Sequence, residues 1–179
     1  MLKRTVRNLA VTGITIVSAT MLTALSAIGA SATTTAAAAP AASAAISGFE
    51  IANNDGLCLT AGVDAPAVQA ICTFAPNQTW HQIAVSGRGV VLKNNLHQCL
   101  SIARSSKSRG ARVYGWRCKG TPDQYWTWYV FVNYGSYIEN LNSHLVLGVA
   151  GGSTKIGAAV IQWSGQSPPR GLNQAWNFQ

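Results

Sequence analysis

One short pattern occurs three times in this chain, and it limits what the chain can fold into. Asn77-Gln78-Thr79-Trp80, Asp123-Gln124-Tyr125-Trp126 and Asn173-Gln174-Ala175-Trp176 each place Gln-x-Trp behind an Asn or Asp, with the tryptophans 46 and 50 residues apart. Tryptophan and glutamine are uncommon residues, so three such copies at near-equal intervals point to a repeated supersecondary unit rather than to coincidence.

The same order of events precedes each copy. A short apolar segment (residues 49–51, 90–92 and 137–138) leads to a polar turn (53–56, 94–97 and 140–143). A second segment follows at Cys58-Leu59, Cys99-Leu100 or Val146-Leu147, then a Gly/Ser-rich loop, then a third at 68–71, 113–116 or 160–163. Segments this short, punctuated by Asn, Gly, Ser and Pro, predict strands and an all-β domain. Only 10% of residues are charged and 17 are glycine, which suits many turns better than a helical bundle. Twelve strands in three equal lobes predict a closed three-fold barrel, because closure removes long unpaired edges.

The repeats occupy about residues 47–88, 89–134 and 135–179, and what precedes them has another composition. Residues 1–32 read as a signal peptide: Lys3, Arg4 and Arg7 precede an apolar stretch and the small-x-small site Ala30-Ser31-Ala32. The same stretch is long enough to span a bilayer if it stays uncleaved. Residues 33–46 form an Ala/Thr-rich linker broken by Pro40, with nothing to build a core. Residues 47–179 are the globular domain. A cleaved signal peptide implies a secreted, extracellular protein with no membrane contact, and in that setting cysteines pair. Cys58 and Cys72 fall in repeat one, Cys99 and Cys118 in repeat two, and repeat three has none. The repeat logic therefore selects Cys58–Cys72 and Cys99–Cys118 from three possible pairings. The spacings to His81, His97 and His144 match no zinc pattern, so no metal or other cofactor is expected.

Trp80, Trp126 and Trp176 are expected to be structural, converging on one core, while Gln78, Gln124 and Gln174 satisfy backbone groups at the adjoining turns. Alternation sets Trp126, Trp128 and Val130 on one face, with Ile83 and Phe178 as further apolar neighbours of the repeated tryptophans. The last repeat adds Asn140-x-Asn142-Ser143, Val146-Leu147-Gly148-Val149, Gly151-Gly152-Ser153-Thr154 and Val160-Ile161-Gln162-Trp163 ahead of its Gln-x-Trp. Over residues 47–179 the chain resembles the ricin B-type lectin domain, a β-trefoil carbohydrate-binding module. The resemblance is closest in repeat three and weakest in repeat one, and it implies the trefoil fold.

It also implies where sugars would bind. In that family each pocket combines an aromatic ring on the third strand, an Asp two residues after the cysteine position, and the Asn before Gln-x-Trp. Repeat three matches with Trp163 and Asn173, and has Gly148 at the Asp position. Repeat two matches with Trp116, and has Asp123 at the Asn position and Ser101 at the Asp position. Repeat one has Asn77, Ala70 or Ile71 near the ring position, and Thr60 at the Asp position. This ranks repeat three first and repeat one last. A pocket lacking the family Asp predicts weak binding, an unusual sugar or none, since a hydrogen bond to a charged group contributes about 1.5–3 kcal/mol. Whether Trp116 and Trp163 face outward or into the core is left open by so short a pattern.

Residues 104–119 hold Arg104, Lys107, Arg109, Arg112, Arg117 and Lys119 with no acid among them, and the whole chain has 13 Lys+Arg against 5 Asp+Glu. The stretch reads first as a solvated loop; the sharper alternative is an anionic glycan or polysaccharide as partner beside repeat two, with nucleic acid a less favoured partner. No glycosidase carboxylate pair, Gly-x-Ser-x-Gly elbow or phosphate loop occurs, so no enzyme activity is expected. The expected function is a secreted, non-catalytic lectin. The rival is a degenerate trefoil acting as a protein-interaction or inhibitor module.

Overall fold

A computed structural model describes residues 48–165 and 172–179. The expected signal peptide and linker lie outside the described residues. In chain order the strands are β1 (Ile51–Asn53), β2 (Leu57–Thr60), β3 (Ala65–Pro66), β4 (Val68–Ile71), β5 (Trp80–Ala84), β6 (Val90–Asn94) and β7 (Gln98–Ile102). They continue with β8 (Val113–Arg117), β9 (Trp126–Phe131), β10 (Gly135–Asn140), β11 (Val146–Val149), β12 (Val160–Trp163) and β13 (Trp176–Phe178). The expected twelve are present, and repeat one has a thirteenth, the two-residue β3. Two bounds also shift: Phe49 makes a single bridge ahead of β1, and the strand expected at 137–138 extends over Gly135–Asn140.

Six strands close a barrel. β1 pairs with β13, β13 with β10, β10 with β9, β9 with β6 and β6 with β5, all antiparallel. A bridge from Phe49 to Trp80 completes the ring. The remaining long strands pair as β2·β4, β7·β8 and β11·β12, one hairpin per repeat. Six barrel strands capped by three hairpins make the β-trefoil, which the chain adopts.

The repeated motif explains why the ring closes. Trp80, Trp126 and Trp176 are wholly buried, and each indole N–H donates to the carbonyl of the leucine after the cysteine position: Leu59 (3.1 Å), Leu100 (2.9 Å) and Leu147 (3.0 Å). The buried polar tip is thus satisfied while the ring fills the core. The glutamine before each tryptophan ties the third strand's end to the last turn. Gln124 Oε1 accepts from the Lys119 and Gly120 amides and its Nε2 donates to the Arg117 carbonyl. Gln78 accepts from Thr73 and donates to the Ile71 carbonyl, and Gln174 donates to the Ser164 carbonyl. Both disulfides form as the repeat logic selected, Cys58–Cys72 and Cys99–Cys118. The expected apolar face around the tryptophans is shorter than alternation implied. Val130 is exposed although it shares the face of Trp126, and Ile83 is exposed because it lies three residues from Trp80, on the opposite face of β5.

A second device, present in two of the three repeats, locks a hairpin to its neighbour. Buried Gln69 donates to the Ser153 and Lys155 carbonyls of repeat three, and buried Gln162 donates to the Ser106 and Ser108 carbonyls of repeat two. Strand register places Gly115 at the corresponding position of repeat two, opposite Leu100 as Gln69 opposes Leu59 and Gln162 opposes Leu147. There the neighbouring loop is shorter, and β3 packs directly on β8 through Ala65 opposite Gly115. A Cβ at Gly115 would run into the Gly62 carbonyl oxygen and lie 3.1 Å from the Ala61 Cβ. Gly115→Ala should therefore lower stability by about 1–3 kcal/mol or more, as overpacking against fixed backbone does. Thermal denaturation followed by circular dichroism measures this.

Candidate functional site

The β7·β8 hairpin of repeat two forms a cleft of about 400 Å³. One wall is aromatic: Trp116 is 37% exposed, and Tyr114 is half-buried two residues earlier on the same face of β8. Val113 and Gly115 alternate inward, which settles the facing that the sequence left open.

The cleft is also lined by Asp123, which is 3% exposed. Its carboxylate accepts from the Ser101 hydroxyl on β7 and from the Ser105 hydroxyl at 2.6 Å. Ser101 holds the position where the resemblance places an Asp, and Asp123 the position where it places an Asn. The carboxylate therefore does reach this pocket, from the other side. Sequence reasoning named both residues but not their contact, which depends on side-chain reach between segments 22 residues apart. A carboxylate offers about four acceptor positions, so two hydroxyl donors leave capacity toward the cleft.

Ser105 reaches Asp123 from an unusual backbone. Arg104 (φ 55°) and Ser105 (φ 52°) are both left-handed, where repeat three carries Gly151 and Gly152 at φ 63° and 62°. Non-glycine residues there cost about 1–2 kcal/mol each. Strain of this sort gathers at binding sites, and here it aims Ser105 at the carboxylate and sets Arg104 on the cleft wall with Lys119.

Repeat three has a smaller cleft, about 340 Å³, lined by Trp163 and Asn173 with Val149, Ile161 and the two glycines. Trp163 is 46% exposed, and Asn173 Nδ2 donates to the Val149 carbonyl at 3.2 Å. Gly148 does not share that cleft. It is buried beneath Gln174, and a Cβ there would lie 3.1 Å from the Gln174 Cγ. Repeat one lacks the ring: Ala70 opposes Cys58 as Trp116 opposes Cys99 and Trp163 opposes Val146. The main-chain carbonyl of Asn77 accepts from the Ala61 amide. Repeat two, ranked second from sequence, is thus the best furnished of the three.

An exposed ring and hydrogen-bonding groups in one cleft suit a ligand with one apolar face and many hydroxyls. A family model for the ricin-type β-trefoil lectin domain matches residues 47–176. The chain belongs to that family. This ricin-type domain superposes on a designed three-fold symmetric protein, ThreeFoil, with a TM-score of 0.67 and 23% identity over 73% of this chain and 96% of the other. A ricin B-like lectin of Macrolepiota procera in complex with lactose gives 0.62 and 17% over 73% and 93%. An exo-β-1,3-galactanase from Clostridium thermocellum gives 0.68 and 23% over 74% of this chain but only 30% of the enzyme. At these identities the superpositions speak for the fold, and the ricin-type family membership speaks for carbohydrate binding. No curated protein matches the chain in sequence.

Proposed function

We propose that the protein is a secreted, non-catalytic lectin that binds glycans in the clefts of repeats two and three. The observation that carries this reading is the repeat-two cleft, which Trp116 lines together with a buried Asp123 held by Ser101 and Ser105. A sugar's apolar face would stack on the indole while its hydroxyls bond the carboxylate. Trp163 with Asn173 offers a second, uncharged version of the same arrangement. Arg104 and Lys119 on the repeat-two cleft give it a preference for acidic sugars. Tryptophan emission during titration tests the reading. Wild-type protein should respond to acidic oligosaccharides, and Trp116→Ala should lose most of that response. Emission unchanged by every neutral and acidic sugar would count against any lectin site.

A protein-interaction module is the second reading. The β9–β10 hairpin favours it, since Tyr129, Val130, Val132 and Tyr134 all stand exposed there.

A further inference from the structure

The basic stretch does more than border the repeat-two cleft. Its loop, residues 103–112, leaves that cleft at Arg104 and Ser105 and crosses to repeat three. Gln162 of β12 clamps it there. The Gln162 carboxamide donates to the Ser106 and Ser108 carbonyls, both at 2.9 Å, and its backbone exchanges hydrogen bonds with Gly110 (2.8 Å) and Ala111 (2.9 Å). Arg112 bridges to Ile161, which lines the repeat-three cleft. A Cβ on Gly110 would lie 3.6 Å from the Trp163 ring. One fixed loop therefore joins the two aromatic clefts. From Arg104 to Gly110 the chain spans at most about 20 Å, within reach of a short oligosaccharide.

The cations on this loop are not required by its backbone. Repeat three has the corresponding loop, clamped in the same way by Gln69, with Gly151, Thr154, Ile156 and Ala159 where repeat two has Arg104, Lys107, Arg109 and Arg112. That second loop leads to repeat one, whose ring position is Ala70. Four cations thus lie on the loop between two ring-bearing clefts, whereas its twin, which leads to a ringless one, has a single cation, Lys155, at the position of Ser108. All four are exposed, and among the described residues none of their side chains is in an ion pair or hydrogen bond. A rigid row of unpaired cations favours a polyanion laid along it.

We propose that a single acidic polysaccharide chain occupies both clefts at once, running along residues 103–112 with Lys107 and Arg109 holding its charges between the rings. This rests on the reading of the clefts as sugar sites. Joining two weak sites by one ligand raises affinity through effective concentration, by about a hundredfold or more when the span fits.

The test is calorimetric titration of the full chain with oligogalacturonates and with heparin oligosaccharides, from dimer to decamer, beside neutral xylo-oligosaccharides of equal length. At least one acidic series should show affinity rising by about a hundredfold once the oligomer spans both clefts. Trp163→Ala should abolish that rise. The double variant Lys107→Thr/Arg109→Ile, which installs repeat three's own residues outside both clefts, should also abolish it while leaving dimer binding within about twofold. The carboxylated and sulfated series separate the two anion types. Acidic dimers that bind with no gain from length would overturn the bridge and leave the cleft reading intact. Failure of every oligomer to bind would overturn both. A single-stranded oligonucleotide whose binding needs Lys107 and Arg109 but ignores Trp163→Ala would assign the loop to nucleic acid and overturn the proposal.

Discussion

Trp126→Ala should lower stability by about 3–5 kcal/mol, the usual cost of emptying a large buried aromatic site. The variant loses a wholly buried indole and strands the Leu100 carbonyl it bonds. A buried acceptor left unpaired costs about 1–3 kcal/mol in its own right, so the loss should fall at the upper end of that range. Domains are stable by only about 5–15 kcal/mol, and a loss of this size brings most of them near the unfolding threshold. Trp80 and Trp176 occupy the symmetric sites with the same bond to Leu59 and Leu147, so their alanine variants should behave alike. Trp163→Ala is the control. That ring is 46% exposed and closes no barrel contact, so its loss should cost well under half as much. Urea denaturation of Trp126→Ala beside Trp163→Ala measures the contrast. Equal losses would mean that Trp163 is a core residue and that the repeat-three cleft is misread.

Asp123→Asn should separate binding from folding in the repeat-two cleft. Repeats one and three carry Asn77 and Asn173 at this position, so the backbone accommodates the amide. An amide oxygen can still accept from Ser101 or Ser105, and the melting temperature should change little. The charge, however, is gone. Hydrogen bonds to a charged acceptor contribute about 1.5–3 kcal/mol, which corresponds to a loss of roughly 10- to 150-fold in affinity for a sugar whose hydroxyls meet this carboxylate. Ser105→Ala should give a smaller loss in the same direction, since it frees the carboxylate rather than removing it. Calorimetry on the best acidic ligand would record both. Full affinity in Asp123→Asn would mean that the carboxylate only anchors the loop.

A three-lobed β barrel was legible because its device repeats in sequence, and the resemblance to the ricin B-type domain made it a trefoil. Gln-x-Trp marks where the last strand of each repeat begins, and cysteines confined to their own repeats pair there. The Gln69 and Gln162 clamps were not legible, because the third copy of that position is Gly115 and the register is needed to see the correspondence. Alternation set Trp126, Trp128 and Val130 on one face of β9. It did not show that Val130 stands exposed there. The repeat-one ring position stayed between Ala70 and Ile71 until pairing with Cys58 fixed it. The carboxylate in the repeat-two cleft was hidden for another reason. Asp123 stands at the position of an Asn, and only folding brings it to Ser101 and Ser105.

The most direct test is a glycan array probed with wild-type protein, Trp116→Ala and Trp163→Ala at low and high salt. The account predicts wild-type binding to acidic glycans, weakened by salt as exposed charges are screened, and reduced most by Trp116→Ala. Silence of the folded wild-type protein across the array, or binding that neither substitution alters, would contradict it.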